Sequence, residues 1–293
     1  MSASPLPGIL MVTGAYVPEM SGAGLQCREL IRQLRPSVRC AVLTTVVDPA
    51  LPVEDEQDGV PVFRVPVDPT RLRSKIAAAW RWMWLMFRER HRYDIVHLHG
   101  FSQKTIVTVG VGRLLRKRIV IKLTSVGHDD PQSMRARGRL AWWCYAHADA
   151  YFGVSPRFGE LYAQSGLPPA RFRLIPNGVD LARFQPAGSE ERRALRASIG
   201  VPAEATVTLF VGFFSHEKCP DVLFDAWCQL AIADPAHHLV FVGATRSSYY
   251  EVDPAIADGI RSCAAAAGVS DRVHFVDPTP AIERYQRVAD IFA

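Results

Sequence analysis

Several signatures are missing from this 293-residue chain. Its six cysteines (Cys27, Cys40, Cys144, Cys219, Cys228 and Cys263) form no CxxC pair, which argues against a zinc site or a disulfide framework. They are expected to be small core residues of a reduced, cytoplasmic protein. No apolar run approaches the ~20 residues needed to span a bilayer. The N-terminus, MSASPLPG, lacks a basic n-region and leads straight into a strand-like segment, so no secretory signal is expected. The first glycine-bearing loop holds no GxGxxG, which removes the dinucleotide fingerprint. No short-period repeat and no nucleic-acid recognition motif is present.

What is present is a globular composition, 48% hydrophobic and 22% charged, at a length that fits roughly two domains. The net charge of +5 is unevenly spread. Residues 1–185 carry 25 Lys and Arg against 15 Asp and Glu, whereas residues 186–293 carry 9 against 14. The first half is therefore the one suited to an anionic surface or substrate.

Apolar, β-rich runs alternate with helical patterns. Strands are expected at Ile9–Thr13, Cys40–Val46, Val62–Val65, Ile95–Leu98, Ile119–Leu123, Ala150–Val154 and Arg173–Ile175. Helices are expected between them, at Leu25–Leu34, Leu72–Arg90, Thr105–Leu115, Arg139–Ala146 and Pro156–Gln164. The pattern pauses at Asn177-Gly178 and resumes with strands Val207–Val211, Leu239–Val242 and Val273–Val276 and the helices that follow them. This alternation predicts an α/β fold with two parallel sheets, a boundary near residues 178–190, and domains of 1–183 and 184–293. The terminal ADIFA has the look of a buried strand, so the second sheet is expected to be incomplete.

The stretch Thr206 to Trp227 carries the sharpest chemical signal. An apolar strand ends at Gly212, a polar loop follows, and Pro220-Asp221 opens an amphipathic helix. Such a junction aims free backbone N–H groups and a positive helix end at the carboxyl edge of the sheet, with Lys218 as a mobile charge beside it. The competing reading is an ordinary βα turn with a surface lysine.

Three other loops gather candidates. Gly22 and Gly24 would let the backbone approach a ligand at a helix N-terminus. His97 and His99 share one face of a strand; His97 is expected to be a core histidine satisfied by a backbone carbonyl, while His99 lies nearer the carboxyl edge and is the better site candidate. Thr124, Ser125, His128, Asp129 and Asp130 follow the next strand, with His128 as a proton carrier. The two aspartates could bind a divalent cation, but carboxylates before a proline more often cap the next helix.

Residues 71–92, RLRSKIAAAWRWMWLMFRERHR, are basic at both ends and aromatic between. Ile76, Trp80, Met83, Trp84 and Phe87 share a helical face, widened by Trp82 and Met86. One reading is a helix lying on an anionic membrane surface. The other is a crossover helix packed on the core with a solvated basic rim, which the width of the stripe favours. Arg113, Arg116, Lys117 and Arg118 extend the basic patch.

Taken together, the chain resembles family 4 (group 1) of the retaining glycosyltransferases with the GT-B fold. The residues that carry the resemblance are Ala148 to Ser155, Leu174 to Asp180 with Phe184 and Pro186, Val211-Gly212 with Lys218, Phe241-Val242-Gly243, Arg272 to Val276, and Ala289 to Phe292. The resemblance implies an acceptor-side first domain, a nucleotide-sugar-binding second domain, and sugar transfer in the cleft between them. It implies that Lys218 contacts the donor diphosphate with Gly212 and Gly243, that Gly22 and Gly24 line the phosphates, and that His99 and the Thr124–Asp129 loop lie near sugar and acceptor. No cofactor or metal is implied. The acceptor would be a glycan or a lipid-linked intermediate. A sugar-nucleotide epimerase or hydrolase of the same fold, or a catalytically lapsed relative, is the alternative.

Three departures stand out. Phe213 occupies the place of an arginine, Cys219 that of a glycine, and Thr124-Ser125 that of a histidine. The acidic E-x7-E motif is expected beyond Ala293, so this chain is expected to be a fragment without part of the site.

Overall fold

The computed structural model describes residues 6–19, 21–246 and 252–293. The chain separates into two units, residues 1–178 and 179–293, the division falling between Gly178 and Val179. The connecting stretch after the division is tied to the second unit. Arg183 pairs with Glu283, and Arg287 donates to the carbonyls of Arg183 and Gln185.

The first unit runs β1 (Gly8–Thr13), α1 (Gly22–Leu34), β2 (Arg39–Val46), β3 (Glu54–Gln57), β4 (Val60–Pro66), α2 (Leu72–Arg88), β5 (Ile95–His99), α3 (Gln103–Leu114), β6 (Arg118–Leu123), α4 (Pro131–Ala136), α5 (Arg139–Ala146), β7 (Ala150–Gly153), α6 (Pro156–Ala163) and β8 (Phe172–Leu174). Its sheet has the order β3-β4-β2-β1-β5-β6-β7-β8. All neighbours are parallel except β3, which pairs antiparallel with β4. The strand order reverses between β1 and β5, so the loops leaving these strands border the crevice where such sheets hold ligands. Buried parallel strands need apolar residues on both faces, and here two cores result. Leu10, Val12, Val96 and Leu98 pack under α2, α3 and α5, while Met11, Val42 and Val62 pack under α1.

Two elements escape the sequence pattern. β3 is the tetrapeptide Glu54-Asp55-Glu56-Gln57, with no apolar residue to mark it. It is joined to β4 by Asp58-Gly59, both at positive φ (52° and 71°), the conformation of a two-residue hairpin turn. The short helix α4 begins at Pro131 with Asp130 as its cap.

The expectation that the aromatic stripe of α2 packs on the core is overturned. The face turned to the sheet is that of Trp82, Leu85 and Met86, with Trp82 Nε1 donating to Thr108 Oγ1 at 2.9 Å. Ile76, Trp80, Trp84 and Phe87 lie on the outside and are exposed. The helix is apolar almost all round, so its periodicity does not identify the buried side.

The second unit runs α7 (Ser189–Ser198), β9 (Thr206–Val211), α8 (Pro220–Ala233), β10 (His237–Val242), α9 (Pro254–Ala266), β11 (Val273–Val276), α10 (Ile282–Val288) and β12 (Ile291–Phe292). Its parallel sheet has the order β11-β10-β9-β12, with the reversal at β9. Phe210, Phe214, Phe241, Trp227 and Ile260 fill the core on one side; Val207, Leu209, Val240 and Val288 fill the other. No helix among the described residues is long and apolar enough to cross a membrane.

Candidate functional site

In the second unit the candidate residues collect at the carboxyl ends of β9 and β10. The backbones press together there. A Cβ on Gly243 would meet the Gly212 carbonyl oxygen at 1.8 Å, so only glycine fits. A Cβ on Gly212 would approach the Phe210 ring at 3.1 Å. Beyond Gly212, Phe214 dives into the core while Ser215 starts a tight turn. Its carbonyl accepts from the N–H groups of both Lys218 and Cys219 at 3.1 Å.

This turn delivers the chain to α8 through Cys219, which has left-handed φ and ψ of 48° and 47°. That geometry accounts for the glycine that the resemblance leads one to expect here. No side chain caps α8, so the N–H groups of its first turn keep their free direction and the positive end of the helix stays open. Lys218, half exposed, stands beside that end with Glu217, 3.7 Å away, as its one ion-pair partner among the described residues. An exposed pair of this kind contributes little, so the lysine is available to an incoming anion. Arg246, after the next strand, is engaged by Asp258 of α9 at 2.9 Å. Phe213 is half-buried.

In the first unit Ser21 caps α1 by accepting from the Gly24 N–H at 3.0 Å. The two glycines differ. Gly24 is held against the Ala15 carbonyl, which a Cβ would meet at 2.4 Å, whereas Gly22 faces open space. Gly24 therefore serves packing, and Gly22 leaves the helix end approachable.

The ends of β5 and β6 bring Gly100, Thr124, Ser125, His128 and Asp129 together. Asp129 is buried and accepts from the Thr124 N–H (2.7 Å), the Thr124 hydroxyl (2.8 Å) and the Ser125 N–H (3.0 Å). Burial raises its pKa against the pull of those bonds. Its carboxylate thus braces the loop, while His128 is exposed at the tip. Asp130 accepts from the N–H groups of Gly127, Gln132 and Ser133 and from the Ser133 hydroxyl. Burial pushes its pKa up, but these hydrogen bonds outweigh it and the net shift is downward. Of the pair, Asp130 caps the following helix and Asp129 does not. Among the described residues no group of three or more His, Cys, Asp or Glu could hold a metal ion.

The histidines of β5 depart from expectation. His99 is not at an open edge; like His97 it is only 6% exposed. His97 Nε2 and both ring nitrogens of His99 have no hydrogen-bond partner among the described residues, so His97 is not fully satisfied. Burial lowers both pKa values, that of His97 to about 4.

Lys104, in the first turn of α3, is a residue sequence reasoning missed. It donates to Thr45 Oγ1 at 3.0 Å and to the Gly14 carbonyl at 3.4 Å, bridging the ends of β1 and β2 at the strand-order reversal. Burial lowers its pKa to about 8. Nothing in the sequence marks a lone lysine after an apolar strand; only the topology brings it here.

The sequence profile of the glycosyl transferase 4-like domain matches residues 21–178. The chain belongs to this glycosyltransferase family. D-inositol 3-phosphate glycosyltransferase 1 of Catenulispora acidiphila is 30% identical over 260 residues, covering 83% of this chain and 60% of that protein. The D-inositol 3-phosphate glycosyltransferase of Geodermatophilus obscurus is 29% identical over 222 residues, covering 69% of this chain and 47% of that protein. The chain thus spans about half the length of the curated relatives it matches. Among solved structures, sucrose-phosphate synthase from Thermosynechococcus elongatus superposes with a TM-score of 0.74 at 20% identity, over 98% of this chain and 74% of that one. Anabaena Alr3699/HepE, in complex with UDP and glucose, does so with a TM-score of 0.72 at 17% identity, over 98% and 73%. The fold of this family member is accordingly that of the GT-B glycosyltransferases.

Proposed function

We propose that this chain acts in a retaining glycosyltransferase that moves a sugar from a nucleotide-sugar to a glycan or lipid-linked acceptor. One observation carries the reading: the uncapped N-terminus of α8, reached through Gly212 and flanked by Lys218, at the carboxyl edge where the strand order reverses. Breaking the bond from the anomeric carbon to the diphosphate leaves the electron pair, and so negative charge, on the departing phosphate. Preorganised N–H groups and a lysine stabilise that charge more in the transition state than in the ground state. In this reading they do so without a metal or cofactor. Gly243 keeps the strand ends close beneath the donor. In this reading Gly22, at the Ser21-capped N-terminus of α1, lets the backbone come close to a phosphate, with Gly24 packed against the Ala15 carbonyl. Thr124, Ser125 and His128 face the sugar and acceptor from a loop that Asp129 positions. The UDP and UDP-glucose complexes of HepE favour a nucleotide-sugar donor. The acceptor is proposed to lie at the cytoplasmic face of a membrane, which residues 71–92 meet.

The test uses full-length protein. Lys218→Ala is expected to weaken donor affinity and turnover by about tenfold or more. Unchanged values for both would refute the phosphate assignment. Sugar release or isomerisation of the donor without any acceptor would instead favour an epimerase or hydrolase, and activity unaffected by a chelator supports the metal-free reading.

A further inference from the structure

The outer face of α2 is unusual for a helix that also has a buried face. Leu72, Ile76, Trp80 and Trp84 recur every fourth residue, and Phe87 completes an apolar strip on the side opposite Trp82, Leu85 and Met86. Trp80 is 68% exposed, and Trp84 and Phe87 are each 54% exposed. Bulky side chains scattered singly on a surface need no explanation, but a contiguous strip does. Along the middle of the helix the charge has one sign, while at its C-terminal end Arg88 pairs with Glu54 and Glu89. From Pro69 to Arg88 there is no Asp or Glu, and Arg73, Lys75 and Arg81 have no carboxylate within ion-pair distance among the described residues. Two guanidinium groups lie over the aromatic strip, Arg88 at 4.6 Å from the Trp84 ring and Arg90 at 4.2 Å from Phe87. On the same face of the sheet, with α3 packed between it and α2, α5 adds exposed Leu140 and Trp143.

We propose that this face of α2 docks on an anionic lipid bilayer, with Trp80, Trp84 and Phe87 at the headgroup–acyl boundary and the arginines at the phosphates. The proposal rests on the reading above that the acceptor lies at a lipid surface, and it names the side chains and the lipid charge that make the contact. Aromatic rings prefer that boundary, and stacked arginines can turn their charge to the headgroups while the rings enter. A second copy of the chain fits less well. Two such faces in contact would set Arg73, Lys75 and Arg81 against their own likenesses with no carboxylate between them.

The experiment is co-sedimentation of the full-length protein with vesicles of phosphatidylcholine containing phosphatidylglycerol, and with vesicles of phosphatidylcholine alone. Binding is expected to the anionic vesicles and to weaken with added salt. Trp80→Ser combined with Trp84→Ser is expected to lower partitioning by about tenfold or more. Arg73→Glu combined with Arg81→Glu is expected to abolish the preference for anionic lipid. Because these side chains are exposed, the thermal midpoint and UDP binding should be unchanged. UDP binding therefore reports on the donor site independently of the docking face. No sedimentation with anionic vesicles, or tryptophan variants that bind as wild type does, would overturn the proposal. So would a wild-type dimer without lipid that the tryptophan variant dissolves.

Discussion

Gly243 and Gly212 close the carboxyl ends of two neighbouring strands at a separation that admits no side chain between them. A Cβ on Gly243 would overlap the Gly212 carbonyl oxygen, 1.8 Å away, while the N–H of Gly243 is held by Val276 and that of Gly212 by Val242. The floor of the candidate donor site is thus backbone against backbone.

Gly243→Ala should therefore push β9 and β10 apart at that end and lower stability by about 3 kcal/mol or more, since neither partner can rotate away. Gly212→Ala, whose added methyl would meet only a ring edge, should be milder. Urea unfolding of both variants checks the order, and a Gly243→Ala variant as stable as wild type would show that the strand ends do not press together.

Cys219 enters α8 in a conformation that suits glycine. Its Sγ donates to the His216 carbonyl at 3.0 Å, a weak bond set against backbone strain. Cys219→Gly is expected to stabilise the protein by about 0.5–1 kcal/mol. It should leave the direction of the α8 N-terminus, and hence donor affinity, unchanged. A rise in thermal midpoint checks it; a fall would mean that the thiol contact outweighs the strain.

His97 makes the fold sensitive to acid. Its pKa falls from 6.5 to about 4 because burial disfavours the charged ring. Below pH 6.5 the unfolded chain takes up a proton that the folded chain refuses. Stability is accordingly full above 6.5 and declines as pH falls toward 4, by about 3 kcal/mol for this one ring. His97→Phe should remove most of that decline. Parallel denaturation curves at pH 7 and pH 4.5 measure it, and equal pH losses in variant and wild type would exclude a buried neutral imidazole.

The two α/β units were legible in the sequence because strands covered on both faces must be apolar throughout. Ile9–Val12 and Leu239–Val242 announce themselves in this way, and the amphipathic stretches between strands complete the alternation. Elements held by something other than apolar burial were not legible. β3 is fixed by its pairing with β4 across Asp58-Gly59, and α4 by the Asp130 cap. The outward face of α2 was illegible for the opposite reason, since hydrophobic residues surround the helix and only contact with the sheet selects a side. In the second unit Gly212 and Gly243 meet at the strand ends, and the strand–loop–helix junction that carries Lys218 forms where its spacing implies. The burial of His99 and the placement of Lys104 depend on neighbouring strands distant in sequence. No local pattern encodes them.

The hairpin strand β3 has a consequence for the behaviour of the folded chain in company. It forms one outer border of the eight-stranded sheet, and three of its four residues are carboxylic acids. A strand from another molecule seeking to extend the sheet there would have to desolvate Glu54, Asp55 and Glu56 or meet their charge. That border is thereby protected from edge-to-edge aggregation.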